Sequence, residues 1–369
     1  MKMFIDLTSL CRTLTGIEKY AQNVALALLR QAPEDTTFHL MFRKEIHPSF
    51  SYLENERFIK VLSPFKAQIL TEQIFIPYYL AMNQNDLCVF PSFPPGLLVF
   101  KSIVFFCPDA TMWRYKDFLS LKNKLYFKPL STMAMYKAKH ICTISDSSKK
   151  DISHYFSMVQ NKISNIGAAL PGKFTKSSEV ETKNAKHKFE IKGDYLLTVS
   201  SLEPRKNLPL IIKSVAPVLK KRNIQLLLAG RKAWGNEEIE AIIKDYGVQD
   251  KITATGYISD FELQCLYSGA KTFIYASKYE GFGFPILEAF ACECPVITSN
   301  VSSMPEVAGD AALFVDPNSQ ESIRNAVIRI LGSEQLRNDL IHKGTERLKS
   351  FSWDETARRF LKAISNAST

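Results

Sequence analysis

Residues 279 to 289 read YEGFGFPILEA, and they hold the groups with the clearest chemical potential in the chain. Glu280 and Glu288 stand eight positions apart, with Gly281, Gly283 and Pro285 between them. A carboxylate accepts hydrogen bonds through both oxygens, so it suits the paired hydroxyls of a sugar. Proline is tolerated in the first turn of a helix, which places a helix start near Pro285. Backbone N–H groups at that start, opened by the two glycines, would face an anion with a favourable dipole behind them. A ligand with phosphates in its middle and hydroxyls at both ends fits this order of groups. Taken alone, the stretch is better described as a tight glycine turn before a surface helix with solvated glutamates.

Other segments share that chemistry. SSLEPRKNLP (200 to 209) puts Arg205 and Lys206 in a loop before a helix, where two cations can meet a diphosphate. LLLAGRKAWG (226 to 235) and TATGYISDFELQCLYSGA (253 to 270) end two apolar runs with Gly230 and Gly256, where a planar base can lie against backbone.

The elements that must position these residues alternate in type. MFIDL (3 to 7), FHLMF (38 to 42), DLCVF (86 to 90), SIVFF (102 to 106) and HICTI (140 to 144) read as buried strands. Between them run helical patterns, as in GIEKYAQNVALALLRQ with Ile17, Tyr20, Val24 and Leu28 on one face, and around 66 to 83, 117 to 138 and 146 to 157. The same alternation resumes after residue 194 with strands expected at 195 to 202, 224 to 230, 251 to 256, 271 to 277, 294 to 300 and 311 to 316. Between the two series, residues 168 to 193 are polar, Lys-rich and broken by Pro171 and Gly172, the pattern of a linker and an exposed loop. At 369 residues two lobes are expected. Open parallel sheets bind ligands beyond the carboxyl ends of their strands, so the loops that follow strands are where chemistry belongs.

At this point the sequence resembles a known family, the retaining glycosyltransferases of group 1 with the GT-B architecture. The resemblance rests on SLEPRKN, LLLAGRKAW, GYISDFELQCLYSGA, SKYEGFGFPILEAFACECPVITSN, SSMPEVAGDAALFVDP and the terminal FSWDETARRF, in that order. It implies an α/β fold of two Rossmann-like parallel-sheet domains facing across a cleft. Residues 1–172 would bind acceptor and 173–352 nucleotide sugar, with 353–369 a terminal helix packing back on the first domain. The implied donor-binding set is Gly16, Ser201, Arg205, Lys206, Gly230, Tyr257, Ile258, Leu263 and the run Glu280, Gly281, Phe282, Gly283, Phe284, Pro285, Ile286, Leu287 and Glu288. Arg205, Lys206, Glu280 and Asp109 are the implied catalytic residues. Glu288 is implied to bind the ribose and Glu280 the transferred sugar.

In the first lobe, DLTSLCRTLTGIEKYAQNVALALL resembles the opening strand, loop and helix, and VFFCPDATMW the strand that ends in His-Asp. Here Pro108 stands in the histidine's place, so either Asp109 or a neighbour supplies part of its role or the sugar is held differently. Glu293 and Ser200 replace glycines of the family pattern. Glu293 is therefore expected in a relaxed helical end rather than a left-handed one.

The resemblance implies a nucleotide-diphosphate sugar as co-substrate, with GDP-mannose the best match and UDP-glucose or a UDP-N-acetylhexosamine the alternatives. A lipid-linked oligosaccharide or lipopolysaccharide is the implied acceptor. No metal cofactor is expected: there is no D-x-D pair to hold a divalent ion, and the Cys292 and Cys294 pair lacks nearby partners for zinc. A sugar-nucleotide epimerase or a phosphorylase shares the fold, and no pyridoxal-lysine motif supports the latter.

Composition agrees with a globular protein and narrows the partners. The net charge is +10, and residues 101 to 150 alone carry ten basic and three acidic residues. Such charge draws anions, whether nucleic acid, acidic lipid or phosphorylated substrate. No aromatic RNA-binding strand or helix-turn-helix supports nucleic acid. From Arg114 to Lys139 lysines alternate with Leu, Phe, Tyr and Met, a pattern that suits either a solvated helix face or an anionic membrane surface. Seven scattered cysteines, and no signal-like or membrane-spanning run, set the expectation of a cytoplasmic chain, peripheral on the inner membrane face if that surface is used.

Overall fold

A computed structural model describes every residue except 11–13, 15, 117–118, 200–202, 231–236 and 367–369. The chain divides into two compact units, Met1–Pro171 with Ser352–Thr369, and Gly172–Phe351.

The first unit holds seven parallel strands: β1 (Lys2–Asp6), β2 (Thr37–Phe42), β3 (Phe58–Leu62), β4 (Leu87–Phe90), β5 (Ile103–Phe106), β6 (His140–Thr143) and β7 (Ile163–Asn165). Their order is β3-β2-β1-β4-β5-β6-β7. The inner strands are buried along almost their whole length, and mostly apolar, because helices cover both faces of a parallel sheet. Phe4, Cys88, Phe90, Phe105 and Ile141 meet Ile76, Leu80, Met135 and Ile152 from the helices in one core.

Two edge strands escape the sequence reading for a physical reason. β3 is half-exposed and carries Lys60, as an edge strand must to resist further pairing. β7 is three residues long. The terminal helix Trp353–Asn366 returns to this unit, where Trp353 meets Tyr20 edge-on, Phe360 stacks on Phe106, and the Trp353 indole donates to the Leu170 carbonyl at 2.9 Å.

The second unit holds β8 (Tyr195–Val199), β9 (Gln225–Ala229), β10 (Ile252–Gly256), β11 (Thr272–Tyr275), β12 (Val296–Ser299) and β13 (Ala312–Val315), all parallel, in the order β10-β9-β8-β11-β12-β13. Each sheet therefore reverses direction between its first and fourth strands, β1 and β4 in one and β8 and β11 in the other. Crossovers leave the sheet on opposite sides at that point, and the crevice between them is where such sheets bind ligands. All six cysteines among the described residues are unpaired and buried.

Two expectations need correction. The polar stretch 168 to 193 is not loop throughout, since Glu179–Lys188 is a helix. Ser178 and Glu181 cap it reciprocally: Ser178 N–H donates to the Glu181 carboxylate at 2.8 Å and Glu181 N–H to Ser178 Oγ at 3.3 Å. Ser-x-x-Glu is the local signal that marks this start within an otherwise polar run. Glu293, expected in a relaxed helical end, has φ 54° in the left-handed region. The helix Phe284–Ala291 ends in a Schellman turn, with Cys294 N–H donating to Ala289 O at 2.9 Å and Glu293 N–H to Phe290 O at 3.1 Å. That pair of bonds demands a left-handed residue between them, whatever the side chain.

Candidate functional site

The site grows from the loops after β8 and β11, the two strands at the switch point of the second sheet. After β8, Pro204–Lys206 forms one tight turn and Asn207 follows with φ 61°. Asparagine tolerates that conformation. Its side-chain amide donates to Ala276 O at 3.0 Å and Pro317 O at 2.7 Å, so the turn is locked to the loop after β11. Lys278 N–H donates to Arg205 O at 2.8 Å across the same gap.

This register brings three charges together. Glu280 is buried, and its two carboxylate oxygens are divided between cations: Oε2 lies 2.5 Å from Arg205 Nη1 and Oε1 lies 2.8 Å from Lys206 Nζ. Arg205 also donates to Tyr279 O at 3.2 Å and pairs with Glu203 at 2.7 Å. Lys206 donates to the Tyr275 hydroxyl at 3.0 Å and sits over that ring.

Burial by itself would raise the Glu280 pKa, but the charges of Lys206 and Arg205 outweigh it and hold the carboxyl below its ordinary value. For Arg205 burial by itself would lower the guanidinium pKa, but the charges of Glu280 and Glu203 outweigh it and raise it. Glu280 and Arg205 therefore both stay charged at neutral pH. A carboxylate with both oxygens in ion pairs and a depressed pKa is a weak base and a weak nucleophile.

The loop that carries Glu280 is held from the other side. Ser302 Oγ donates to Glu280 O at 2.6 Å, and Ser303 Oγ reaches the carbonyls of Glu280 at 2.9 Å and Phe282 at 2.8 Å. Gly283 then turns into the helix Phe284–Ala291 with φ 108°, a conformation that any side chain would strain. The first N–H groups of a helix have no partner within it, and here they lie beside the charged cluster in sequence.

Glu288 is half-buried one turn on and accepts from the Tyr267 hydroxyl at 3.2 Å. The two glutamates thus hold different partners. Ile286 and Leu287 turn wholly into the core and Phe282 packs on Phe351, so these three offer a ligand backbone rather than side chain. Phe284 and Pro285 are half-buried.

On the other side of β8, Gly230 and Gly256 meet directly: Gly230 N–H donates to Gly256 O at 3.2 Å, with φ of 139° and 69°. Tyr257 is exposed and Ile258 half-buried on the turn beyond, before the helix Asp260–Gly269 that contains Leu263. Ser259 and Glu262 cap that helix, and the hydrogen bond from Lys188 together with those from the Ser259 N–H and hydroxyl lowers the Glu262 pKa to about 2.

This arrangement offers a nucleotide a backbone shelf, a cation pair and a helix start along one sheet edge. A scan against family models matches residues 179–347 to Glycosyl transferases group 1. The O-antigen chain mannosyltransferase B of Escherichia coli is 31% identical over 263 residues, which is 70% of this chain and 67% of that protein. The chain belongs to the group 1 glycosyltransferases.

A longer relative, the serotype-specific mannosyltransferase WbdA of Escherichia coli, is 29% identical over 227 residues, and the chain spans only 28% of its length. Anabaena HepE, solved in complex with UDP-glucose, superimposes with a TM-score of 0.71 at 14% identity over 99% of this chain and 100% of that one. The two-unit α/β fold of this glycosyltransferase is the GT-B one.

Of the expected residues, Gly16 and Asp109 belong to the first unit and the others to the second. Ser201 lies outside the described residues, as does Ser200. Gly16 is an exposed helical residue with open space where a Cβ would stand, so packing within the unit does not demand glycine there. Asp109 follows β5 and accepts from Thr111 N–H at 2.7 Å. Both Pro108 and Asp109 line a pocket of about 230 Å³ whose other walls include Phe93, Phe106, Trp113 and Phe127.

Sequence reasoning missed Asn207, Tyr275, Ser302 and Ser303. Asn207 was visible as the last residue of PRKN, a polar residue at a helix start. The two serines open SSMPEVAG with no local sign that they bond a loop twenty residues earlier.

Proposed function

We propose that this glycosyltransferase moves a hexose from a nucleoside-diphosphate sugar to a lipid-linked oligosaccharide or lipopolysaccharide acceptor, with retention of anomeric configuration. The observation that carries the reading is the Arg205–Glu280–Lys206 cluster at the switch point of the second sheet. In this reading the diphosphate lies at the start of helix Phe284–Ala291 beside Arg205 and Lys206. Glu280 orients the transferred sugar while holding both cations in place, and Glu288 binds the ribose. Charge that develops on the departing diphosphate meets two cations and backbone N–H groups, so the step calls for no metal ion. Each such donor is worth about 3 to 4 kcal/mol in the transition state.

Similarity to an O-antigen mannosyltransferase favours mannose, and GDP-mannose is the donor we assign. The pocket beside Asp109 in the first unit is the acceptor region of this reading. No helix among the described residues is long and apolar enough to cross a membrane. The basic stretch from Arg114 to Lys139 would then hold the enzyme peripherally on the inner face of the cytoplasmic membrane, where a lipid-linked acceptor is within reach.

The test supplies radiolabelled GDP-mannose, UDP-glucose or UDP-N-acetylglucosamine together with a membrane lipid extract. Label should pass to lipid from GDP-mannose, and Lys206→Ala should slow it by about 100-fold or more while circular dichroism is unchanged. Transfer from UDP-glucose instead would favour the UDP-linked reading. Turnover of no donor, or full activity in Lys206→Ala, would refute the assignment.

A further inference from the structure

Three segments of the first unit meet around one buried carboxylate. Glu72, 1% exposed, accepts from Gln68 Nε2 at 2.6 Å and from the Tyr126 hydroxyl at 2.8 Å. Its neighbour Gln73 donates to the same hydroxyl at 3.0 Å and accepts from Leu97 N–H at 3.0 Å. Residues 68–75, 96–100 and 121–128 are thereby tied into one local surface. Lys137 closes it, donating to Leu97 O at 2.7 Å and lying 4.7 Å over the Phe100 ring.

The outer side of these segments is strongly apolar. Phe100 is 78% exposed, Leu121 and Leu125 are each 72% exposed, and Ile69, Ile74 and Leu98 stand open beside them. Single exposed leucines are ordinary, but a cluster of this kind on three joined segments marks an interaction surface. Lys66, Lys122, Lys124, Lys137 and Lys139 are exposed among them. Within residues 66–75, 96–101 and 119–139 the only acidic residue is Glu72, and it points inward. Among these residues the exposed charges are therefore all positive, and they interleave with the exposed hydrocarbon.

We propose that this composite face is where the enzyme seats on an anionic lipid bilayer, with Leu98, Phe100, Leu121 and Leu125 entering the acyl boundary and the lysines meeting lipid phosphates. The inference rests on the membrane reading above and extends it beyond Arg114–Lys139 to Ile69–Ile74 and Leu97–Phe100. It also changes its character, from charge held at the surface to side chains inserted. A second copy of the chain is the poorer occupant, because a two-fold pairing of this face would set lysines against lysines.

The test sediments the full chain with phosphatidylcholine vesicles, with and without phosphatidylglycerol, at low and high salt. Wild-type protein should bind only the anionic vesicles and keep part of that binding at high salt. The double variant Leu98→Asp with Phe100→Asp, whose positions are solvent-exposed, should bind at least tenfold more weakly. Its melting temperature and its thermal shift with GDP should match wild type. Absence of binding by the wild type would overturn the membrane reading as a whole. Wild-type binding that the double variant retains, or that salt abolishes completely, would overturn insertion while leaving adsorption through Arg114–Lys139 in place. A wild-type dimer in sedimentation velocity that the double variant dissolves would assign the face to self-association instead.

Discussion

Replacing Glu280 with glutamine tests whether its carboxylate holds the Arg205–Glu280–Lys206 cluster, the proposed donor site, together. Glu280, Arg205 and Lys206 have side chains 8%, 18% and 14% exposed, so little solvent screens their pairing. Breaking a buried ion pair from one side costs about 3 to 5 kcal/mol, because the opposite charge remains without compensation. Here two cations remain, but Arg205 keeps Glu203 at 2.7 Å and the glutamine carbonyl still accepts one hydrogen bond. These reduce the expected loss to about 2 to 3 kcal/mol.

For a domain of this size about 2 to 4 °C of melting temperature follows each kcal/mol, so Glu280→Gln should melt about 4 to 12 °C lower. The sign with pH is fixed by the direction of the shift. The native carboxyl titrates below its ordinary value of 4.5, so its contribution is full above that value and fades as pH falls through the lower native one. The gap between wild type and variant should therefore narrow in acid. GDP should restore more melting temperature to the variant than to wild type, since its phosphates supply the anion that the two cations have lost. Scanning calorimetry with and without GDP reads both effects. A variant that melts with wild type at neutral pH, or that gains no more from GDP than wild type does, would refute the reasoning.

Two further substitutions probe features outside the cluster. Glu293→Gly removes the Cβ from a left-handed position at a cost in unfolded-chain entropy, and should stabilise the protein by about 0.5 to 1 kcal/mol in urea titrations. A loss of stability would show that the 4.0 Å contact of Glu293 with Lys176 outweighs the backbone strain. Burial raises the Glu72 pKa to about 7, against partial relief from the Gln68 and Tyr126 hydrogen bonds. The native state then binds the extra proton between 4.5 and about 7, so wild-type stability should fall by about 3 kcal/mol as pH rises through that window. In Glu72→Gln that fall should vanish, leaving the part due to Asp6, whose pKa burial raises to about 6. Parallel stability curves for the two proteins would contradict the buried ionisation.

Much of the fold is legible along the chain because parallel strands covered on both faces must be apolar throughout. VFF before Cys107 and FIY before Ala276 need no partner to be recognised. What escaped obeys a different rule. β3 carries Lys60 because it is an edge, and the helix Glu179–Lys188 is almost wholly polar, so neither offers an apolar period; only the Ser178 and Glu181 cap betrays the second. Glu293 was misread because residue type was taken as the guide to conformation. The closing bonds of the Schellman turn outweigh a left-handed penalty of about 1 to 2 kcal/mol.

By itself the sequence determined two α/β series, a glycine-opened helix start at Gly283 and the pair Glu280 and Glu288 around it. These are local matters, set by residue type and spacing within a few turns of chain. Only the tertiary structure decided that the Glu280 carboxylate would be divided between Arg205 and Lys206, residues more than seventy positions earlier. The reason is the strand order: β8 and β11 are neighbours in the sheet although two other strands lie between them in the chain, so their loops leave the same edge side by side. No spacing within YEGFGFPILEA encodes that adjacency, and the depressed pKa and fixed charge of Glu280 follow from it.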